Sequence, residues 1–149
     1  MAGMEPLGRV LNVVPVCTAG GAINMSGCSA ITFVITGSTA VPTLTIATSF
    51  GGSYTSTGFN PITRVYWTTS TTGTVGWSKA TITAAATFTL GTTTGLTTAT
   101  AAVFTVFGSQ MLAGYDYIKC TVTGSGIGAA ILHDLTVQRA PANLAILGA

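Results

Sequence analysis

The chain is 149 residues long with a formal net charge of +2, and only 5% of its residues are charged, against about 25% in an ordinary globular domain. That length suits a single domain, 1–149, with a real core. The five cations are scattered, so no basic run or aromatic–basic platform argues for nucleic acid.

No charged residue lies between Arg9 and Arg64 or between Lys79 and Asp116. A surface so poor in charge is sparingly soluble unless its apolar parts are covered, which points to assembly. Threonine fills the gap at about one residue in five, and its branched Cβ favours strands over helices. The apolar windows are broken every few residues by Thr, Ser, Gly, Asn or Pro. None approaches the roughly 18 residues of a spanning helix, and a transmembrane barrel usually carries more lumen charge, so no membrane partner is expected.

Residues 1–8 read as an arm and lack the basic start and apolar core of a secretory signal. Residues 9–17 are extended and apolar on both faces. Pro15 cannot donate a ladder hydrogen bond, so residues 1–15 form an arm leading into an edge strand, docked on a neighbour or paired within its own sheet. A turn at 18–21 precedes a short strand at 22–26. The stretch 30–50 organises the rest. Ile31, Phe33 and Ile35 alternate with threonines, and so do Leu44 and Ile46, so each half is a half-buried strand. Turn residues at 37–42 make the two halves a central antiparallel hairpin.

Residues 51–61 read as a long exposed loop. The next strand, 62–69, points Val65 and Trp67 one way and Ile62, Arg64 and Tyr66 the other. A hairpin tip at 70–74 leads to a returning strand that begins with Val75 and Trp77, placing Trp77 near Trp67. Residues 80–86 alternate weakly through Ile82, and 87–90 put Phe88 and Leu90 on one face. The Thr/Gly stretch 91–100 is a loop or a weak edge. Residues 101–107, apolar on both sides, read as a fully buried strand. After a compact turn at 110–114, residues 117–123 alternate strictly, with Ile118, Cys120 and Val122 inward. The last strand is 129–138, followed by an apolar C-terminal tail, 139–149. Nine or ten short strands with turns every eight to twelve residues predict an all-β, antiparallel, jelly-roll-like β-sandwich with extended N- and C-terminal arms.

Chemistry is hard to place on this chain. Adjacent strand positions face opposite sides, so His133 lies with Ile131 and Leu135 while Asp134 does not, and a relay between them is not expected. One His, three Cys and three carboxylates without close ligand spacing make no metal site. Ser78-Lys79 lacks the spacing of Ser/Lys nucleophiles, and Gly20-Gly21 and Gly51-Gly52 lack the Lys-Ser/Thr of a phosphate loop. No catalytic residue and no cofactor is therefore expected. Cys17, Cys28 and Cys120 are an odd set without CxxC spacing, which fits buried thiols in a reducing cytoplasm. Tyr54, Phe59, Tyr66, Trp67 and Trp77 offer material for a sugar-stacking platform, although core packing of Trp67 and Trp77 is the simpler reading.

Two end segments carry a resemblance: Gly-Arg-Val-Leu-Asn-Val-Val-Pro-Val at 8–16 and Ile-Leu-His-Asp-Leu-Thr-Val-Gln-Arg-Ala-Pro-Ala-Asn-Leu at 131–144. With the Thr-Leu-Thr-Ile run between them, the chain resembles the head decoration or minor capsid proteins of tailed bacteriophages of Gram-positive hosts. The resemblance implies a β-sandwich subunit, often a homotrimer, made in the host cytoplasm and carried on the virion. There it would bind the major capsid protein and stabilise the outer head lattice without catalysis. The alternative is a carbohydrate-binding or host-adhesion module of the tail-fibre kind, with glycan as partner. From position alone, Arg9, Leu11, Val13 and Pro15 at one end and Arg139, Pro141, Leu144, Ile146 and Leu147 at the other are the expected capsid or subunit contacts. They are too apolar for free ends, and either fold back or cross to a partner.

Overall fold

Alternating threonine and aliphatic residues build nine strands in the computed structural model of the chain, which describes residues 11–16, 20–70, 72 and 74–135. They are β1 (Leu11–Val16), β2 (Ala22–Asn24), β3 (Ala30–Thr36), β4 (Val41–Ala47), β5 (Ile62–Thr68), β6 (Ser78–Ala85), β7 (Ala101–Phe107), β8 (Tyr117–Thr123) and β9 (Ile127–His133). Two antiparallel sheets pack face to face: a large one in the order β1-β9-β3-β7-β5-β6 and a small one in the order β2-β8-β4. This is a β-sandwich, as the alternation predicts. The pairings nest, β1 with β9, β2 with β8 and β3 with β7.

Each strand sends every second side chain into the space between the sheets. Ile31, Phe33 and Ile35 of β3 meet Leu44 and Ile46 of β4 and Ile118, Cys120 and Val122 of β8, all buried. Phe104 anchors the centre. Its ring stacks on Phe33 at 5.2 Å between centroids and meets Phe88 edge-on at 5.4 Å, the offset and T-shaped geometries that aromatic quadrupoles favour.

The expected central hairpin is not a hairpin. β3 lies in the large sheet and β4 in the small one, and the connection at 37–40 crosses between them. A flat hairpin would put both apolar faces on one side, whereas the crossing sets them against each other, where both are buried. The crossing turn is held from two directions. Gly37 N donates to Thr100 O, Leu90 N donates to Ala40 O, and Thr39 Oγ1 bonds Ser125 Oγ at 2.8 Å. Gly91, Gly124 and Gly126 press their bare Cα atoms against Ser38 O, Thr39 O and Ala40 Cβ respectively.

Several local expectations also change. A register shift between Ile62 and Arg64 turns Ile62 into the core with Val65, where strict alternation had sent it outward. The loop 51–61 is not exposed throughout: Phe59 and Pro61 are buried, and Thr55 exchanges backbone hydrogen bonds with Ile46 at the edge of β4. The returning strand starts at Ser78, so Trp77 sits before it, 54% exposed, while Trp67 packs against the core. Residues 91–100 are turns that bury Leu96 and Ala99. Strand β7 is central and buried throughout its inward face, while its outward side grades from buried Ala101 through half-buried Val103 and Thr105 to exposed Phe107. β9 begins at Ile127 and ends at His133, where Asp134 takes a left-handed φ of 50° that a carboxylate side chain tolerates better than most.

Candidate functional site

The two outer faces of the sandwich differ in kind. The small sheet presents Thr43, Thr45, Thr121, Thr123, Tyr117 and Lys119, with the Lys119 ammonium 5.5 Å from the centre of the Tyr54 ring. It is a polar surface. The large sheet presents an apolar one.

Register fixes what that large face contains. Leu11 of β1 pairs with His133 of β9, which pairs with Ala30 of β3 and through it with Phe107 of β7. The next outward row is Val13, Ile131, Thr32 and Thr105. The third crosses all six strands as Pro15, Ala129, Val34, Val103, Tyr66 and Lys79. The fourth is Ile127, Thr36, Ala101 and Thr68. Of the seven large hydrophobic residues that stand exposed among the described residues, Val13, Tyr66, Phe107 and Ile127 lie on this face and Val75 and Trp77 lie beside it, at 44 to 72% exposure. The seventh, Phe50, rests edge-on against Tyr117. Such concentration on one face is what marks an interaction surface; scattered apolar residues would not.

The threonine hydroxyls of the face and its histidine are already satisfied. Thr32 Oγ1 bonds Thr105 Oγ1 at 2.8 Å, and His133 Nε2 shares a 2.8 Å hydrogen bond with the same Thr32 hydroxyl. Thr68 Oγ1 donates to Val75 O. Among the described residues no buried side-chain nitrogen or oxygen lacks a partner. Covering the Thr32–Thr105–His133 part of this face therefore strips water from methyl groups and ring edges without orphaning those donors. Its charge is confined to one side, Arg64 on β5 and Lys79 on β6.

Beyond β5, Ser70 and Thr74, Val75, Gly76 and Trp77 stand over the outward side of β3 and β7. Between them and the sheet lies a pocket of about 660 Å³, walled by Val34, Thr36 and Ala101 below and by Val75, Gly76 and Trp77 above.

The expected contacts divide. Leu11, Val13 and Pro15 stand on β1, an edge strand that pairs within its own sheet, and line one margin of the apolar face. Arg9, Arg139, Pro141, Leu144, Ile146 and Leu147 lie outside the described residues, as does Cys17. Phe107, Tyr66, Ile127, Val75 and Trp77 were missed as contacts, although period-two alternation already placed Tyr66 opposite Trp67. What alternation could not supply was which sheet face remains open.

The five aromatic residues of the expected sugar platform are dispersed. Phe59 is buried, Trp67 packs on the core, Tyr54 lies under Lys119, and only Tyr66 and Trp77 share the large face. His133 and Asp134 diverge: the imidazole goes to Thr32 and the carboxylate accepts from Ser29 Oγ at 2.6 Å. Cys28 and Cys120 are free and buried, and burial pushes their thiols up to about 11 and about 12, far from the thiolate range of reactive cysteines. Among the described residues no group of three or more His, Cys, Asp or Glu gathers as metal ligands, and no helix is long and apolar enough to cross a membrane. Compared with protein-family models, with curated proteins and with solved structures, the chain matches none.

Proposed function

We propose that this protein is a structural subunit of a bacteriophage head, a decoration or minor capsid protein that binds the outer lattice and stabilises it by contact alone. The single observation that carries this reading is the apolar outer face of the large sheet, on which Val13, Tyr66, Phe107 and Ile127 stand exposed among the described residues. An apolar surface of this kind suits burial against protein. The nested strand order supports a jelly-roll reading, with residues 86–90 standing beside β4 through Leu44 N to Ala86 O and the Thr43–Thr87 bridge. That architecture serves many viral capsid and lectin domains. On a repeating lattice, several modest contacts per particle add up to tight retention.

The test is co-sedimentation with purified shells that lack the protein. Saturable binding at a fixed ratio per capsomer, together with greater resistance of the shells to heat or chaotrope, is the expected result. Absence of binding to any head, mature or immature, would remove the proposal. The pocket beneath Trp77 favours one second reading, a glycan-binding module in which the indole stacks on a sugar ring. In that case Trp77→Ala abolishes binding in a glycan screen while the protein stays folded.

A further inference from the structure

We infer that the pocket beneath Trp77 is the seat of this chain's own C-terminal segment, residues 136–149, which turns back over the outer side of β9 and β3 and sets Leu144, Ile146 and Leu147 between the sheet and Val75–Trp77. Phe107 and Tyr66, on the rest of the large face, stay free for the lattice.

The shape of the pocket selects a narrow occupant. Ser70 and Thr74, Val75, Gly76 and Trp77 stand over β3 and β7, so no second sheet settles there at the roughly 10 Å of face-to-face packing. A single extended chain enters where a sheet does not. The volume of about 660 Å³ falls within the roughly 300–1,000 Å³ of pockets that enclose a drug-sized group, which suits a short run of residues.

Its chemistry selects an apolar, uncharged one. No charged residue lines it: Val34 and Ala101 form the floor, Val75 and Trp77 the roof. The Thr36 and Thr68 hydroxyls already donate to Ile127 O and Val75 O, and those of Ser70 and Thr74 bond each other. Three of the four most exposed large apolar side chains among the described residues gather here, Val75 and Trp77 in the roof and Ile127 beside Thr36 at the mouth. The run Leu-Ala-Ile-Leu at 144–147 answers that surface, and no charged side chain follows Arg139. Seating it takes apolar groups on both sides out of water.

Reach decides which end of the chain arrives. His133 stands in the first outward row, and the pocket spans the third and fourth rows between β3 and β7. Rows about 6.8 Å apart and strands about 4.8 Å apart put the pocket about 18 Å from His133. Asp134, with its left-handed φ, is bound to Ser29, and Leu135 packs on the core. The segment therefore sets out from the end of the sandwich, within two residues of the His133 row. From Leu135, Leu144 spans up to about 30 Å and Leu147 up to about 40 Å, which leaves slack for the turn. The N-terminal arm starts farther off on β1, about 21 Å from the pocket. Measured from Leu11, Leu7 spans at most about 13 Å and Met4 about 23 Å. Leu7 stops short, and Met4 arrives only if drawn straight, with Glu5 beside it.

Acrylamide quenching of tryptophan in the full-length protein tests this. The described residues alone leave Trp77 54% exposed, whereas Trp67 packs on the core. The expected result is weak quenching and blue-shifted emission at every protein concentration. Substituting Leu144→Ser, Ile146→Ser and Leu147→Ser together should raise the quenching constant severalfold and shift emission to the red. A cooperative unfolding transition should remain, since the sandwich core is built from other residues. In a Trp77→Phe background the same three substitutions should leave quenching unchanged.

Quenching of the parent as strong as that of the triple variant overturns the inference, and this comparison with a free indole needs no variant to fold. Shielding that fades on dilution brings the segment from a neighbouring copy. Shielding lost on Met4→Ser with Leu7→Ser, but not on the triple substitution, gives the pocket to the N-terminal arm. Either result overturns the inference as well. Shielding that appears only with shells present puts the lattice in the pocket, ending the inference but not the proposed function. A protein whose Trp77 behaves as expected yet binds no shell ends the function and leaves the inference standing.

Discussion

Replacing Gly124 by alanine tests how the chain crosses from one sheet to the other. Two separate costs meet at that position. Its φ of +77° lies in the left-handed region, which costs a residue with a Cβ about 1–2 kcal/mol. Its Cβ would also strike the backbone carbonyl of Thr39, in the crossing turn, which cannot swing aside as a side chain can. Overpacking of this kind costs about 1–3 kcal/mol, and the stiffer unfolded chain returns about 0.4–1 kcal/mol. The expected loss is about 2–4 kcal/mol, a large share of the 5–15 kcal/mol typical of a domain.

Three other glycines separate the two costs. Gly114 has φ +81° but nothing within 4 Å of its would-be Cβ, so Gly114→Ala should lose only about 1 kcal/mol from backbone strain. Gly126 has no left-handed φ, yet its Cβ would meet Ala40 and Val122, so Gly126→Ala should lose about 1–3 kcal/mol from crowding alone. Gly51 has neither problem and should stay within about 0.5 kcal/mol of the parent. Urea unfolding followed by tryptophan fluorescence gives all four on one scale, provided the slopes agree. If Gly126→Ala matches Gly51→Ala, or Gly124→Ala is no worse than Gly114→Ala, the clamped crossing turn is wrong.

The other perturbations probe the core and its thiols. Phe104→Ala should cost about 3–5 kcal/mol as a fully buried ring. Phe104→Leu should cost less, losing chiefly two ring pairs at about 0.5–1.5 kcal/mol each; a Phe104→Leu variant as stable as the parent in denaturant unfolding would mean that the aromatic geometry contributes nothing. Burial raises the Cys28 and Cys120 thiols from 9.0 to about 11 and about 12, so the folded chain holds protons that the unfolded chain releases. Their contribution is complete below pH 9 and is lost as pH climbs from there towards 12, at up to about 1.4 kcal/mol per pH unit for each thiol. Stability measured from pH 7 to 11 should therefore decline less steeply in a Cys28→Ala, Cys120→Ala double variant than in the parent. Parallel curves would show that neither thiol is shielded as described.

Where local pattern decides burial, the amino-acid sequence is read easily. Tyr117–Thr123 alternates strictly, and Ile118, Cys120 and Val122 do point inward. Ile31, Phe33 and Ile35 do the same in β3. Pattern fails where a backbone irregularity resets the period, as at Ile62, or where burial comes from a loop folding back, as at Phe59 and Leu96. Period two also says that Val103, Thr105 and Phe107 share a face, but it is silent on whether anything lies above them.

Composition and alternation alone determined that this chain makes strands, that they are short and antiparallel, and that its surface is poor in charge. Which strands become neighbours was decided only in three dimensions. Side-chain period records which way a residue points, whereas partnership between β3 and β7, or the passage of the chain from β3 across to β4, depends on contacts between residues far apart in sequence. The open apolar face exists only because Leu11, Ile127, Val34, Phe107 and Tyr66 are brought side by side from five different strands and segments of the chain.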